Sequence, residues 1–201
     1  MPAKKENIPL FIVKLGTADV LILLVLAFGV MSTFNSNREN LDLALFFLFM
    51  ATGMYLAANI YIKRRNRGKM KGFTRALKAF VSGMVFLVAP CIFFYHWQYN
   101  SNLASGVMLF FVLCGILRIA AFDDLASRSG TGGAYYRGMP VFWSPVLVAV
   151  FYLLSFGVGS DIINGMLSLS LIIFSFLMLV NRDLKHLHNP AVWLKKTKKK
   201  K

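Results

Sequence analysis

The strongest constraint on this chain is a series of long apolar runs, each close to the length of one membrane crossing. Six such runs extend over residues 15–34, 41–62, 79–95, 103–122, 141–158 and 162–180. A helix of about 20 residues spans the hydrocarbon core of a bilayer, and it satisfies its own backbone hydrogen bonds there. Barrel strands alternate polar and apolar residues, whereas these runs are continuously apolar. The sequence therefore predicts an all-α, polytopic membrane protein with six transmembrane helices.

The composition excludes other classes of strongly basic protein, namely soluble, disordered and nucleic-acid-binding ones. Of 201 residues, 57% are hydrophobic and 15% are charged, the mean hydropathy is +0.61, and the net charge is +15. Soluble domains average about 45–50% apolar and about 25% charged residues, and disordered chains have low hydrophobicity. The basic residues are not accompanied by a nucleic-acid-binding motif. We therefore expect lipid partners and no nucleic acid.

The basic residues are distributed very unevenly between the two sides of the predicted membrane domain. With six crossings, 22 of the 23 Lys and Arg residues fall on one side, and Arg38 lies opposite. The positive-inside rule makes the basic side cytoplasmic. The sequence thus predicts a basic cytoplasmic N-terminal segment (1–14), a six-helix transmembrane domain (15–180) and a polybasic cytoplasmic tail (181–201). We expect a multi-pass protein of the cytoplasmic (inner) membrane.

Few ionisable residues lie inside the runs, and such residues are costly in lipid and commonly functional. Asp19 lies in the first turns of helix 1. It is either a buried ligand or partner of a basic residue, or an acid that faces the headgroups and is favoured by the helix dipole. Arg118 closes the fourth run, where it either binds phosphate or anchors the helix at the membrane boundary. The sequence supports both alternatives for each residue.

Two connectors on the basic side invite a phosphate-binding interpretation. Residues 63–75 form the densest charge cluster outside the tail. Such a cluster beside a span attracts anionic lipids and also sets orientation, so both roles can hold together. The second connector contains the glycine-rich stretch 129–133 (SGTGG). It has no Walker pattern, which favours a flexible loop over a phosphate cradle.

Two further segments carry a family resemblance. The first comprises residues 117–123 (LRIAAFD) and 135–140 (YYRGMP), and the second is residues 86–90 (FLVAP). Together they resemble the CDP-alcohol phosphatidyltransferase family, in particular its phosphatidylserine synthase branch. The resemblance covers roughly residues 10–180 and implies the same six-helix arrangement with cytoplasmic ends.

The resemblance also locates where the family keeps its active site. The family signature is D-x2-D-G-x2-A-R-x8-G-x3-D-x3-D, aligned here without gaps on the Val-Ala-Pro of residues 88–90. Its positions are occupied in this chain by Ala57, Ile60, Tyr61, Arg64, Arg65, Thr74, Lys78 and Ser82.

The replacement of the family's aspartates changes the chemistry that the site can perform. In the family these carboxylates hold divalent metal on the pyrophosphate of a CDP-lipid, and the last is thought to activate the alcohol. Of the signature positions only Arg65 matches, and no Asp or Glu occurs between Asp42 and Asp123. Divalent cations need oxygen ligands, preferably carboxylates, and an alcohol needs a positioned base. We therefore predict no metal, no cofactor and no catalytic residue that can be named.

The residue that replaces one of the family's aspartates suggests a lipid site. Lys78 stands where the family has an aspartate, and a cationic side chain can neutralise a phosphate that metal would otherwise bridge. We hypothesise a site for an anionic phospholipid or CDP-diacylglycerol. Its candidate residues are Arg64, Arg65, Lys78, Arg118 and Arg137. The alternative is that the pocket has lost all ligands and the basic residues only set topology.

Three functions remain compatible with the sequence. The favoured one is a non-catalytic relative of the family that binds lipid or serves as a subunit, in a homodimer or in a heterodimer with a related phospholipid synthase. The alternative is an active CDP-diacylglycerol-dependent phosphatidyltransferase with an altered site. A small transporter is the least favoured, because few polar residues line a path through the six runs.

Overall fold

A computed structural model describes residues 15–65, 72–97, 99, 101–129, 136–137, 139–157, 159–180 and 183–184. Several predicted features lie outside the described residues. They are the N-terminal segment 1–14, residues 66–71 of the basic connector, residues 130–133 of the glycine-rich stretch, and the tail apart from residues 183–184.

The described chain is built almost entirely of helices. The seven α-helices are α1 (Thr17–Asn37), α2 (Leu41–Arg65), α3 (Gly72–Gly83), α4 (Ala89–His96), α5 (Asn102–Ser129), α6 (Ser144–Leu154) and α7 (Ser160–Leu179). A π-helical turn, Met84–Val88, joins α3 to α4, and a 3-10 turn, Val141–Trp143, precedes α6. Two short strands, β1 (Tyr136–Arg137) and β2 (Asp183–Leu184), pair antiparallel with Tyr136 opposite Leu184.

Five helical stretches are long and apolar enough to cross a membrane. They are Thr17–Asn37, Leu41–Ile62, Gly72–His96, Asn102–Ala121 and Ile162–Leu179. The prediction of an all-α membrane protein is therefore confirmed.

Two of the predicted runs differ from the helices that form. In the fifth run, only the shorter segment Val141–Leu154 is apolar helix, and a turn follows it. The third helix begins at Gly72, seven residues before its predicted start. Arg75 and Lys78 interrupt the apolar run in sequence, but the helix continues through them because one of its faces is buried.

Contacts along the first helices define the two ends of the bundle. At one end, Thr17 of α1 shares a hydrogen bond of 2.6 Å with Tyr61 of α2. At the other end, Ser32 of α1 donates to the carbonyl of Ala44 near the start of α2. These helices are therefore antiparallel, as a short connector requires. We name the end that holds the start of α1, the end of α2 and the start of α3 the basic end.

The helix formed by α3, the π-helical turn and α4 runs parallel to α1. Ser82 of α3 contacts Tyr55 of α2. Near the opposite end, Tyr152 of α6 donates to Asp42 at the start of α2 and packs edge-on against Phe93 of α4. From the Tyr55–Ser82 contact to the contacts of Tyr152 with Asp42 and Phe93, residue numbers fall along α2 and rise from α3 to α4. Helix α2 is therefore antiparallel to α3 and α4. Since α1 is also antiparallel to α2, α1 and α3 share one direction.

A proline explains the π-helical turn in the middle of this helix. In an α-helix the carbonyl of Phe86 accepts the N–H of residue 90, but Pro90 has no N–H and its ring clashes with that carbonyl. The helix widens over Met84–Val88 just before the proline. The hydroxyl of Ser144 donates to the Phe86 carbonyl from the first residue of α6. This hydrogen bond positions the start of α6 at the middle of the α3–α4 helix.

Glycines bring two further helices close to the π-helical turn. A Cβ on Gly29 of α1 would lie 2.5 Å from Val85 Cγ2, and a Cβ on Gly115 of α5 would approach Leu87 more closely still. Small residues at such positions allow close packing in membranes, where van der Waals contact drives helix association. The turn is thus the packing centre of the described bundle, and Val85, Phe86 and Leu87 are all buried.

At the end opposite the basic end, a buried tyrosine ties the α4–α5 connector to α7. Tyr99 is 2% exposed and its phenol hydrogen bonds the hydroxyl of Ser168. Burial raises the pKa of the Tyr99 phenol, so this hydroxyl stays protonated throughout the physiological pH range.

We expect Gly29→Ala to lower the free energy of unfolding by about 1–3 kcal/mol, because the β-branched Val85 side chain has little freedom to move away. The matched control is Gly53→Ala on α2, whose Cβ would meet nothing within 4 Å. The measurement is the thermal unfolding midpoint of purified protein in one detergent. Equal midpoints for the two variants would contradict the close packing of α1 on the π-helical turn.

We expect Ser144→Ala to destabilise the protein by about 1–3 kcal/mol, because the buried Phe86 carbonyl loses its hydroxyl donor. Ser175→Ala is the control. Its hydroxyl is equally buried but bonds the Leu171 carbonyl one turn back within its own helix, and that carbonyl keeps the N–H of residue 175 in the α-helix. Midpoint losses of similar size in both variants would refute the special role of Ser144.

Candidate functional site

Lys78 occupies the interior of the basic half of the bundle. Its Nζ lies 5.4 Å from the centroid of the Tyr55 ring, which is a cation–π geometry. Lys78 is half-buried and Tyr55 is 9% exposed. Within the described ranges, no carboxylate lies at ion-pair distance from Lys78. An aromatic face rather than an opposite charge therefore holds this ammonium group inside a candidate membrane-crossing helix.

Hydroxyl groups accompany the Lys78 ammonium. Thr74, Lys78 and Ser82 recur at a spacing of four residues, which places them on one face of α3. Ser82 donates to the Tyr55 phenol oxygen at 3.3 Å, and both Thr74 and Ser82 are 4% exposed. These three residues thus share one face of α3, and two of them, Lys78 and Ser82, converge on Tyr55.

Aromatic rings close the inner side of this arrangement. The Tyr55 ring meets the edge of Phe86 at 4.9 Å between centroids, and Phe142 lies 6.1 Å away. Phe142 belongs to the 3-10 turn that leads into α6. We refer to Tyr55, Lys78, Ser82, Phe86 and Phe142 as the Tyr55 cluster. Four segments meet there, namely α2, α3, the π-helical turn and the approach to α6.

Arg118 lies on α5, which packs against α3. The residue is 9% exposed. Its neighbour Ile119 faces Gly83, where a Cβ would lie 4.0 Å from the Ile119 side chain. Arg118 is therefore level with the junction of α3 and the π-helical turn. Its burial favours a role inside the bundle over that of an exposed boundary anchor.

The signature positions on α2 do not join the Tyr55 cluster. Ala57, Ile60 and Arg64 lie on an exposed face of the helix, so they do not form one pocket with the buried face of α3. Tyr61 instead bonds Thr17 on α1. The side chains of Arg65 and Arg137 lie outside the described residues, so their predicted phosphate contacts remain predictions.

The side chains at the signature positions do not fit a divalent cation. Lys78 brings a positive charge, Ser82 directs its hydroxyl to Tyr55, and the exposed Ala57 and Ile60 have no donor atom. Hard cations require several oxygen ligands. Across the described ranges, no three His, Cys, Asp or Glu side chains gather into a group that could hold a metal ion.

Asp19, which the sequence left with two interpretations, is buried. It is 3% exposed, and its Oδ2 accepts the backbone N–H of Gly16 at 2.9 Å. This contact is one half of a capping box at the start of α1. This burial is inconsistent with an acid that faces the headgroups, although the position in the first turn of α1 is the one that the helix dipole favours. Among the described residues, no Lys or Arg lies at ion-pair distance from Asp19.

Sequence reasoning did not identify Tyr55, Phe142 and Ser144 as parts of this region. The periodicity of α2 carried a partial signal, since its buried residues recur every three or four positions. They are Ala44, Leu48, Ala51, Tyr55, Ala58 and Ile62. This pattern predicts burial of Tyr55, but it does not identify Lys78 or Ser82 as its neighbours. Only tertiary packing brings Phe142 into the cluster and Ser144 to the Phe86 carbonyl.

Neither a known family model nor a curated protein sequence matches this chain.

Proposed function

We propose that this chain is a phospholipid-binding membrane protein that resembles CDP-alcohol phosphatidyltransferases and binds the phosphate of an anionic or CDP-linked lipid without transferring it. The observation that carries the proposal is the Lys78 ammonium held over the Tyr55 ring, with no ion-pair partner in the described part of the chain. An unpaired charge at membrane depth is costly and typically serves a ligand.

The chemistry around Lys78 suits phosphate. An ammonium group and a phosphate form a short charge-assisted hydrogen bond. The Tyr55 phenol accepts from Ser82 and retains its own O–H, which can donate to a phosphate oxygen. Among the described residues, no carboxylate lies at ion-pair distance from the ammonium. The Tyr55 cluster thus offers donors and positive charge on one side and apolar rings on the other.

The same residues support binding without turnover. Attack of an alcohol on a CDP-lipid needs a group that accepts the alcohol's proton, and the Tyr55 cluster contains no carboxylate or imidazole. We propose that the chain contributes lipid binding or scaffolding, either as a homodimer or together with a related synthase.

We further propose six membrane crossings with both termini in the cytoplasm of the inner membrane. Tyr99, just before α5, pairs with Ser168, and Phe110 within α5 pairs with Phe176, so residue numbers rise in the same direction along α5 and α7. This order indicates parallel helices. Parallel crossings require a return of the chain between them. The N–H of Met139 donates to the Leu177 carbonyl near the end of α7.

The path of α6 supplies this return. From Met139, beside the end of α7, the chain proceeds through the 3-10 turn and α6 to Tyr152, which bonds Asp42 at the end opposite the basic end. Helix α6 itself begins beside Phe86, level with the middle of the α3–α4 helix. Irregular backbone is tolerated at that depth where protein covers it, and of the 3-10 turn that precedes α6, Val141 and Phe142 are buried whereas Trp143 is exposed.

Cysteine labelling in intact cells tests the topology. We expect a membrane-impermeant maleimide to label Gly159→Cys, in the α6–α7 connector, as readily as Ser101→Cys. Arg64→Cys should react only after permeabilisation. All three positions are exposed, and a background of Cys91→Ala and Cys114→Ala removes the native thiols. Labelling of Gly159→Cys only after permeabilisation would contradict the sixth crossing.

Lipid-dependent thermal stability tests the phosphate site. We expect phosphatidylglycerol to raise the unfolding midpoint of the wild type, and Lys78→Gln to weaken its apparent affinity by about tenfold, because a hydrogen bond to a charged group is lost. Arg38→Gln is the matched control. It removes the same charge from an exposed position at the opposite end and should leave the affinity unchanged.

Two outcomes would contradict the proposed function. Equal affinities of the wild type and Lys78→Gln would exclude Lys78 from the site. Release of CMP from CDP-diacylglycerol by the wild type, abolished by a chelator, would show metal-dependent turnover and favour an active phosphatidyltransferase.

A further inference from the structure

Asp19 has an unused hydrogen-bond acceptor inside the protein. The residue is 3% exposed, its Oδ2 accepts the Gly16 N–H, and its Oδ1 is buried without a hydrogen-bond partner. No described Lys or Arg lies at ion-pair distance from it. A buried carboxylate oxygen that accepts nothing is strongly unfavourable. The missing partner must be a hydrogen-bond donor, and a cationic donor satisfies the carboxylate best.

The helix register relates Asp19 to Lys78. Helices α1 and α3 run in the same direction and are in contact, and Gly29 lies against Val85. Asp19 precedes Gly29 by ten residues, and Lys78 precedes Val85 by seven. At 1.5 Å per residue, the Asp19 α-carbon is therefore about 4.5 Å closer to the basic end than the Lys78 α-carbon. The two residues carry unpaired charges of opposite sign on neighbouring helices, and their α-carbons are offset by about one helical turn.

This order of charges matches one class of lipid headgroup. A phospholipid that enters from the basic side has its acyl chains innermost, its phosphate next, and the substituent of the phosphate nearest the water. Lys78, whose α-carbon is the deeper, suits the phosphate, and Asp19, whose α-carbon is nearer the basic end, suits a cation attached to it. An ethanolamine group places an ammonium two carbon atoms beyond the phosphate oxygen.

The unsatisfied oxygen also selects among cationic headgroups. A primary ammonium has three N–H donors, whereas the quaternary ammonium of choline has none. Only the former can supply the hydrogen bond that Asp19 Oδ1 lacks. Glycerol headgroups have hydroxyl donors but no positive charge to compensate the carboxylate.

We infer that Asp19 and Lys78 are the two poles of a site for a phosphate ester of a primary amine, in the form of an aminophospholipid such as phosphatidylethanolamine. This inference rests on the proposed function, because Lys78 supplies the phosphate contact in both. Asp19 adds selectivity for the headgroup.

The experiment compares lipids with identical acyl chains on the purified full-length protein. Apparent affinities are measured from thermal unfolding midpoints for phosphatidylethanolamine, its mono- and dimethyl derivatives, phosphatidylcholine and phosphatidylglycerol. We expect phosphatidylethanolamine to bind roughly tenfold more tightly than phosphatidylcholine, since one charge-assisted hydrogen bond separates them. The affinity should fall at each methylation step that removes an N–H donor.

Variants separate this inference from the proposed function. Asp19→Asn should abolish the preference for phosphatidylethanolamine over phosphatidylcholine and retain the binding of phosphatidylglycerol. Lys78→Gln should instead weaken the binding of all three lipids. Asp42→Asn, which removes an exposed carboxylate at the opposite end, should preserve the preference. Competition by soluble phosphoethanolamine shows whether the headgroup alone suffices or the lipid is required.

Equal affinity of the wild type for phosphatidylethanolamine and phosphatidylcholine would overturn the inference, as would a preference that survives Asp19→Asn. In both cases the proposed phosphate site at Lys78 remains supported if Lys78→Gln still weakens the binding of phosphatidylglycerol. Loss of that dependence would instead overturn the proposed function. The methylation series needs only the wild type, so it remains decisive if Asp19→Asn does not fold.

Discussion

The arrangement of this bundle depends on one carbonyl group in the middle of one helix. Pro90 cannot supply the N–H that the Phe86 carbonyl would accept in an α-helix. The helix relaxes into a π-helical turn, and Ser144 donates to the carbonyl from the start of α6. Unpaired backbone groups are especially costly in a membrane, so this single bond determines where α6 begins. Functional sites commonly lie beside such turns, and the Tyr55 cluster does so here.

Close packing around the π-helical turn follows from residues that lack side-chain bulk. Gly29 and Gly115 let α1 and α5 approach Val85 and Leu87 at distances that a Cβ would prevent. In lipid, helices gain little from burying apolar surface against one another, so van der Waals contact and hydrogen bonds decide which faces meet. The turn therefore gathers α1, α5 and α6 around one helix. In this arrangement, the Lys78 and Ser82 side chains of α3 contact Tyr55 of α2.

One buried and one half-buried charge, those of Asp19 and Lys78, give the bundle its chemical character. Lys78 contacts an aromatic ring, and Asp19 accepts one backbone N–H. Neither residue has an ion-pair partner in the described part of the chain. Because each charge is costly within a membrane-crossing helix, their combination favours a ligand that carries both signs. The resemblance to CDP-alcohol phosphatidyltransferases suggested an anion site from the replacement of aspartate by Lys78. In the inference drawn above, the buried carboxylate of Asp19 would extend that proposed site to a headgroup with a positive end.

The sequence by itself determined the membrane class and the approximate limits of four of the five candidate crossing helices, because apolar length is a local property of the chain. It also placed Thr74, Lys78 and Ser82 on one helical face. Tertiary structure alone decided that Tyr55 lies beneath Lys78, that Ala57 and Ile60 are exposed, and that Asp19 is buried. Periodicity shows which residues share a face, but only helix packing determines what that face meets. The short α6 shows the same limit, since its start is determined by a carbonyl 58 residues away in sequence.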